Sequence, residues 1–163
     1  MAKNRYLSCL QTVALAALAA LLGLASFTAM AQSSAGLKGA PAVFNTECTS
    51  CHIGFAPGLT GEANWRGIMG GLDKHFGVDA SIDEKSRQTI SAWLIGHAAK
   101  GSQYASASPE FRISKSNWFV RQHDEVSSKV WKRASIKSPA NCGACHGGAD
   151  KGDFDEDRVR IPS

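Results

Sequence analysis

Two five-residue stretches constrain this chain more than any other feature: Cys48-Thr49-Ser50-Cys51-His52 and Cys142-Gly143-Ala144-Cys145-His146. On one helical turn, residues at i, i+3 and i+4 share a face, so two thiols and an imidazole can address one flat edge. Cys-x-x-Cys-His is the covalent attachment site of a c-type haem. Cys48 and Cys51 are therefore expected to become thioethers, with His52 as proximal iron ligand. Cys142, Cys145 and His146 repeat the arrangement for a second haem, with Pro139 and Asn141 as helix-entry residues. Disulfides or a zinc site are the competing reading of Cys-x-x-Cys pairs. A histidine directly after the second cysteine, in both copies, is what that reading leaves unexplained.

The fifth cysteine, Cys9, lies in residues 1–31, which read as a cleaved secretory signal. Lys3 and Arg5 make a basic start, an apolar stretch runs from Val13 to Phe27, and Ala29-Met30-Ala31 precedes Gln32. An uncleaved anchor is the alternative, because the stretch is near the lower length of a spanning helix. The cleavage site and the polar Gln32-Ser33-Ser34 favour removal, after which no stable membrane insertion is expected. The haem-bearing part is assigned to the bacterial periplasm. Every remaining cysteine belongs to a haem motif, so none is left for a structural disulfide. Without Lys3 and Arg5 the formal charge falls from +4 to +2, and haem propionates lower it further. That argues against nucleic acid as a partner. A chain this short forms one modest domain or two very small ones, with the porphyrins supplying much of the core.

Three helical segments are expected between the motifs, each placing a histidine on its buried face. In the first, Glu62 to Phe76, Trp65, Ile68, Leu72 and His75 make a 3.6-period stripe that stops at Gly77. Gly70 and Gly71 weaken it by roughly 1 kcal/mol each relative to alanine. The second opens on the capping box Ser81-x-x-Glu84 and carries Ile90, Trp93, Leu94 and His97 towards an end near Lys100. Residues Gly101 to Pro109 read as a linker between two haem-binding halves. The third runs from Asn117 to Trp131 behind an N-cap at Ser116, with Phe119, His123, Val126 and Val130 on one face. Its row Arg121, Glu125, Lys129 and Arg133 reads as a solvated surface. Residues Asp150 to Asp157 read as an acidic loop.

Each iron needs a sixth ligand or keeps an open site, and that choice separates a carrier from a catalyst or gas binder. The mature chain offers His75, His97, His123 and Met69. Met69 sits at the edge of its apolar stripe, where methionine fills core gaps. Bis-histidine ligation of both haems is the economical reading, and it leaves three histidines competing for two positions.

The segments Trp65-Arg66-Gly67-Ile68-Met69-Gly70-Gly71-Leu72-Asp73-Lys74-His75-Phe76-Gly77 and Trp118-Phe119-Val120-Arg121-Gln122-His123 resemble the bacterial dihaem cytochrome c family. So do Arg112-Ile113-Ser114, the second haem motif, and the stretch from Gly152-Asp153-Phe154 to Ile161-Pro162. The resemblance covers nearly all of the mature chain. It implies an all-α, small two-lobed c-type cytochrome, with lobes over 32–105 and 106–163, each built round one covalently attached haem. It further implies His75 and His123 as the distal ligands. His97 matches no ligand position and is left as a core or helix-end histidine, the first substitute for His75. Sequence proximity favours His52 with His75 and His146 with His123, but a crossed wrap costs only on the order of 1 kcal/mol in loop closure.

The expected function is therefore periplasmic electron transfer through two low-potential c-type haems, not catalysis, since methionine is the ligand associated with raised potentials. The resemblance implies redox partners: a membrane cytochrome b or quinol-linked donor, and a haem protein or reductase as acceptor. Two alternatives stand beside this. One is a haem enzyme or gas sensor with an open or labile distal site; the other is a haem subunit of a larger oxidoreductase.

Overall fold

This computed structural model describes residues 37–163, and among these described residues the chain forms five short α-helices and a series of single 3₁₀ turns. The expected signal segment, 1–31, lies outside the described residues. No strand forms among those described, only isolated bridges such as Gly61 with Ala99. The all-α expectation is met. Among the described residues, no helix is long and apolar enough to cross a membrane.

Helix α1 (Ala42–Cys48) carries the first motif at its C-terminal end and buries Phe44. Phe44 packs on Trp93 of α3 (Glu84–Gly96), with ring centroids 4.8 Å apart. Helix α2 (Glu62–Gly70) buries Trp65 and Met69, one turn apart, against α3, which buries Ile90 and Leu94 at the same spacing. These four side chains join Leu37, Phe44 and Ala98 in one apolar cluster. The Trp65 indole N–H donates to the Pro57 carbonyl at 2.8 Å, so the ring is buried without an unpaired polar atom.

Three expected boundaries move, each for a local reason. Helix α2 was expected to reach Phe76 but ends at Gly70, and a separate 3₁₀ turn, Leu72–Lys74, delivers His75. Two successive glycines give the helix no reason to continue. Phe76 (φ 51°) and Gly77 (φ 105°) then reverse the chain, and the second conformation suits only glycine. At α3 the N-cap is Asp83, not Ser81: its carboxylate accepts the Ser86 N–H at 3.0 Å, while the Ser81 N–H donates to Asp79. A carboxylate at the positive end of a helix outcompetes a more distant hydroxyl.

The third segment keeps its N-cap, since the Ser116 hydroxyl accepts the Phe119 N–H at 3.1 Å, but it does not run through to Trp131. It splits at His123 into α4 (Asn117–Gln122) and α5 (Ser128–Trp131). Asp124 and Ser127 favour turns over helix interiors, and the Val126 N–H closes a turn onto the His123 carbonyl. The row Arg121, Glu125, Lys129 and Arg133 therefore shares no continuous helix face.

The stretch 101–109, expected as a linker, is tied down. Asn64 of α2, 2% exposed, accepts the Ser108 N–H and donates to the Ser108 hydroxyl, both at 2.7 Å. That hydroxyl in turn donates to the Arg112 carbonyl at 2.7 Å. Between them, Glu110 (φ 54°) and Phe111 (φ 56°) adopt left-handed backbone, a cost of roughly 1–2 kcal/mol for each non-glycine residue. The Phe111 ring lies so close over Gly67 that any Cβ there would collide with it. The acidic C-terminal stretch folds on its own cation: Arg158 pairs with Asp153 at 2.6 Å and with Asp155 at 3.2 Å. The described residues belong to one compact unit.

Candidate haem centres

The two motifs reach similar geometry from different local structure. Cys48 is the last residue of α1, so Thr49, Ser50, Cys51 and His52 uncoil from a helix end. In the second motif the Cys142 carbonyl accepts both the Cys145 N–H (3.2 Å) and the His146 N–H (2.9 Å), closing one tight turn. Asn141 does not cap that turn with its side chain, as its sequence position suggests; its amide donates instead to the Ile136 carbonyl at 2.9 Å. Among the described residues, none of the four motif cysteines is paired in a disulfide. Burial, with Glu47 adjacent, pushes the Cys48 thiol up to about 11, and burial also raises Cys142 and Cys145. These sites disfavour a thiolate, whereas an uncharged thioether sulfur sits there without penalty.

Four histidines meet in two pairs. His52 and His75 have ring centroids 6.2 Å apart and planes 22° from parallel; His123 and His146 stand at the same 6.2 Å, at 78°. A metal–histidine nitrogen bond is about 2.0 Å and the ring centroid lies about 1.1 Å further on, so rings trans across one metal stand about 6 Å apart. Both pairs have that spacing. Each is the pairing that sequence proximity favoured.

Hydrogen bonds set which nitrogen is offered. His52 Nδ1 lies 2.7 Å from the Ile53 carbonyl and His123 Nδ1 lies 2.9 Å from the Phe119 carbonyl. A carbonyl only accepts, so Nδ1 donates in both and the Nε2 lone pair is free for a metal. His146 Nδ1 is buried without a partner, which leaves Nε2 as its available nitrogen. Burial and the facing His52 and Arg112 hold His75 below the ordinary histidine value; burial and His123 do the same to His146, against an opposing Asp153. Neutral imidazole is the form that binds iron.

The unpicked candidates lie elsewhere. His97 caps the C-terminus of α3, exposed, with Nδ1 on the Trp93 carbonyl at 2.9 Å; its ring neighbour is Trp93, not another imidazole. Met69 is 4% exposed inside the apolar cluster. Among the described residues, no three His, Cys, Asp or Glu side chains converge as a bare metal ion would need. Two imidazoles facing each other, with no third donor, suit a metal whose other four ligands come from a macrocycle, and they do not complete a zinc tetrahedron.

Aromatic residues wall both pairs: Phe119 was expected on the face of His123, whereas Phe55 was not singled out from the sequence. Phe55 lies 5.1 Å from His52 and Phe154 lies 5.3 Å from His146. His123 stacks on Phe119 at 4.0 Å and 18°, with Trp131 at 5.8 Å. A phenylalanine shortly after each motif was the available signal. An open cavity of about 410 Å³ lies beside His75, edged by Ile68, Phe76, Phe111 and Arg112.

Comparison with known proteins points the same way. A sequence model of the family described as dihaem cytochrome c matches residues 44–154. The fold is similar to a diheme cytochrome type c from Shewanella baltica OS155, at 34% identity and TM-score 0.65, over 75% of this chain and 93% of that one. It is similar also to two structures from Rhodobacter sphaeroides. DHC purified from that organism is 42% identical with TM-score 0.59, over 69% of this chain and 95% of the other. A diheme cytochrome c from the same organism is 37% identical with TM-score 0.62, over 73% and 100%. A search of curated proteins found no match.

Proposed function

The chain belongs to the dihaem cytochrome c family and carries two c-type haems, and on that premise we propose that it is a periplasmic electron carrier with both irons closed by paired imidazoles. His52 and His75 hold the first iron, and His146 and His123 the second. Cys48, Cys51, Cys142 and Cys145 form the thioethers. The observation that supports this most directly is the shared 6.2 Å spacing of the two histidine pairs.

The haems supply the one-electron couple. The chain would supply two strong-field nitrogens to each, with His52 oriented by the Ile53 carbonyl and His123 by the Phe119 carbonyl, and a wall of aromatic rings around them. Orienting contacts of this kind fix the tautomer and ring orientation of a ligand histidine and so tune the metal. His52 with His75, and His146 with His123, would leave an iron no free place for a small molecule, and the haems would supply one-electron exchange with little change of geometry. Imidazole in place of methionine puts both centres on the low-potential side. The lobes are assigned to 32–105 and 106–163. Its partners are other redox proteins, a membrane cytochrome b or quinol-linked donor and a haem protein or reductase acceptor, met through weak, transient contacts.

The test is the visible and EPR spectrum of the purified protein, oxidised and then reduced with and without carbon monoxide. Two low-spin haems per chain, with a ferrous spectrum indifferent to carbon monoxide, is the expected result. A high-spin ferric signal or a carbon monoxide shift in the wild type would move the assignment to an enzyme or gas sensor.

A further inference from the structure

Arg112 reaches the first haem centre from the far half of the sequence. Its guanidinium carbon sits 4.4 Å from the centroid of the Phe76 ring, and that ring packs 4.6 Å from His75. The placement is built, not incidental. Asn64 clamps Ser108, the Ser108 hydroxyl holds the Arg112 carbonyl, and the left-handed pair Glu110 and Phe111 turns the backbone between those two anchors. Strained backbone held by surrounding contacts gathers at functional sites. Arg112 also edges the cavity beside His75.

The charges around it are specific. Glu110 accepts from Arg112 at 3.0 Å and from Lys115 at 2.8 Å, so one carboxylate is shared by two cations and a net positive charge remains. Lys74 lines the same cavity. The second centre has cations of its own, differently placed: His146 and His123 are flanked by Phe154, Phe119 and Trp131, Arg133 lies near Cys145, and Arg158 is paired with Asp153, the acid beside His146.

We propose that Arg112 is the potential-setting cation of the first haem, held over Phe76 so that its charge stabilises the reduced iron there and not at the second haem. The inference rests on His75 as the distal ligand of that haem. Reduction removes one positive charge from the iron, so a fixed cation nearby favours the reduced state. Lys74 and Lys115 carry strongly hydrated ammonium groups on flexible stems; a guanidinium stacked on an aromatic face is held in place by it.

The experiment is a spectroelectrochemical titration of the holoprotein, with the first-haem wave identified as the one displaced by His75→Met. Arg112→Gln should lower that wave alone, weakening reduction by about tenfold, which is about 59 mV for one electron. Arg112→Lys, which keeps the charge but loses the stacking, should recover only part of the loss, and Glu110→Gln should move the same wave upward by unmasking the guanidinium. The proposal is overturned if Arg112→Gln leaves the first wave in place, if both waves move together, or if Arg112→Lys recovers nothing. If His75→Met displaces no wave, it is the ligand assignment that fails, a separate result.

Discussion

His123 and His146 stand 6.2 Å apart with their ring planes 78° from parallel. At the same separation, His52 and His75 are only 22° from parallel. An imidazole donates through the orbital normal to its plane, so parallel rings raise one iron d orbital and crossed rings raise two equally. The first arrangement splits those orbitals strongly and the second leaves them nearly degenerate. The ferric protein should therefore show two different low-spin EPR signals in equal amount, one rhombic and one strongly anisotropic. A single signal type accounting for both haems would contradict the observed ring orientations.

Removing one distal histidine should open one site and only one. His75→Ala and His123→Ala are each expected to turn half of the haem high-spin and to let the ferrous form take up one carbon monoxide per chain. His97→Ala should leave both spectra as they were, because its ring is exposed at a helix end with no facing imidazole. Carbon monoxide uptake in the His97 variant alone would reverse the assignment.

Asn64→Ala should destabilise the protein by roughly 1–3 kcal/mol, the cost of leaving the buried Ser108 groups unpaired. Denaturant titration of the holoprotein reads this directly. Leu94→Ala, which empties a side chain 2% exposed in the apolar cluster, should cost roughly 2–5 kcal/mol. An Asn64 variant as stable as wild type would show that the strap is not held by this clamp.

Acid sensitivity should track the cap of α3. Hydrogen bonds from Ser86, side chain first and backbone second, hold the Asp83 carboxyl below its ordinary value. A carboxyl depressed in the folded state stabilises above the unfolded value of about 3.9, and that contribution is lost as pH falls through the folded value. Asp83→Asn keeps an acceptor at the cap but carries no charge, so its melting temperature should fall less steeply below pH of about 4. Equal acid slopes in the two proteins would rule the cap out as a source of the pH dependence.

The parts of this protein that are local in the chain were legible from the residues alone. Both Cys-x-x-Cys-His motifs are contiguous, and their chemistry follows from spacing on a single turn. The Ser116 cap and the turn at Gly77 are likewise set within a few residues. The Ser81 cap was misplaced by two residues because a nearer carboxylate competed for the same end. The helix expected through His123 broke because turn-forming residues outweighed a plausible apolar stripe.

Tertiary structure decided what depended on distance through space. Three histidines with similar local patterns were all expected to point inward, and only packing puts His75 opposite His52 and leaves His97 at an exposed helix end. The clamp of Asn64 on Ser108 joins residues 44 apart, and nothing local to either one announces it. Arg112 over Phe76 is of the same kind. A Cys-x-x-Cys-His motif is written in short-range spacing, whereas which of several chemically equivalent histidines face one another is decided by burial and by which segments the core brings together.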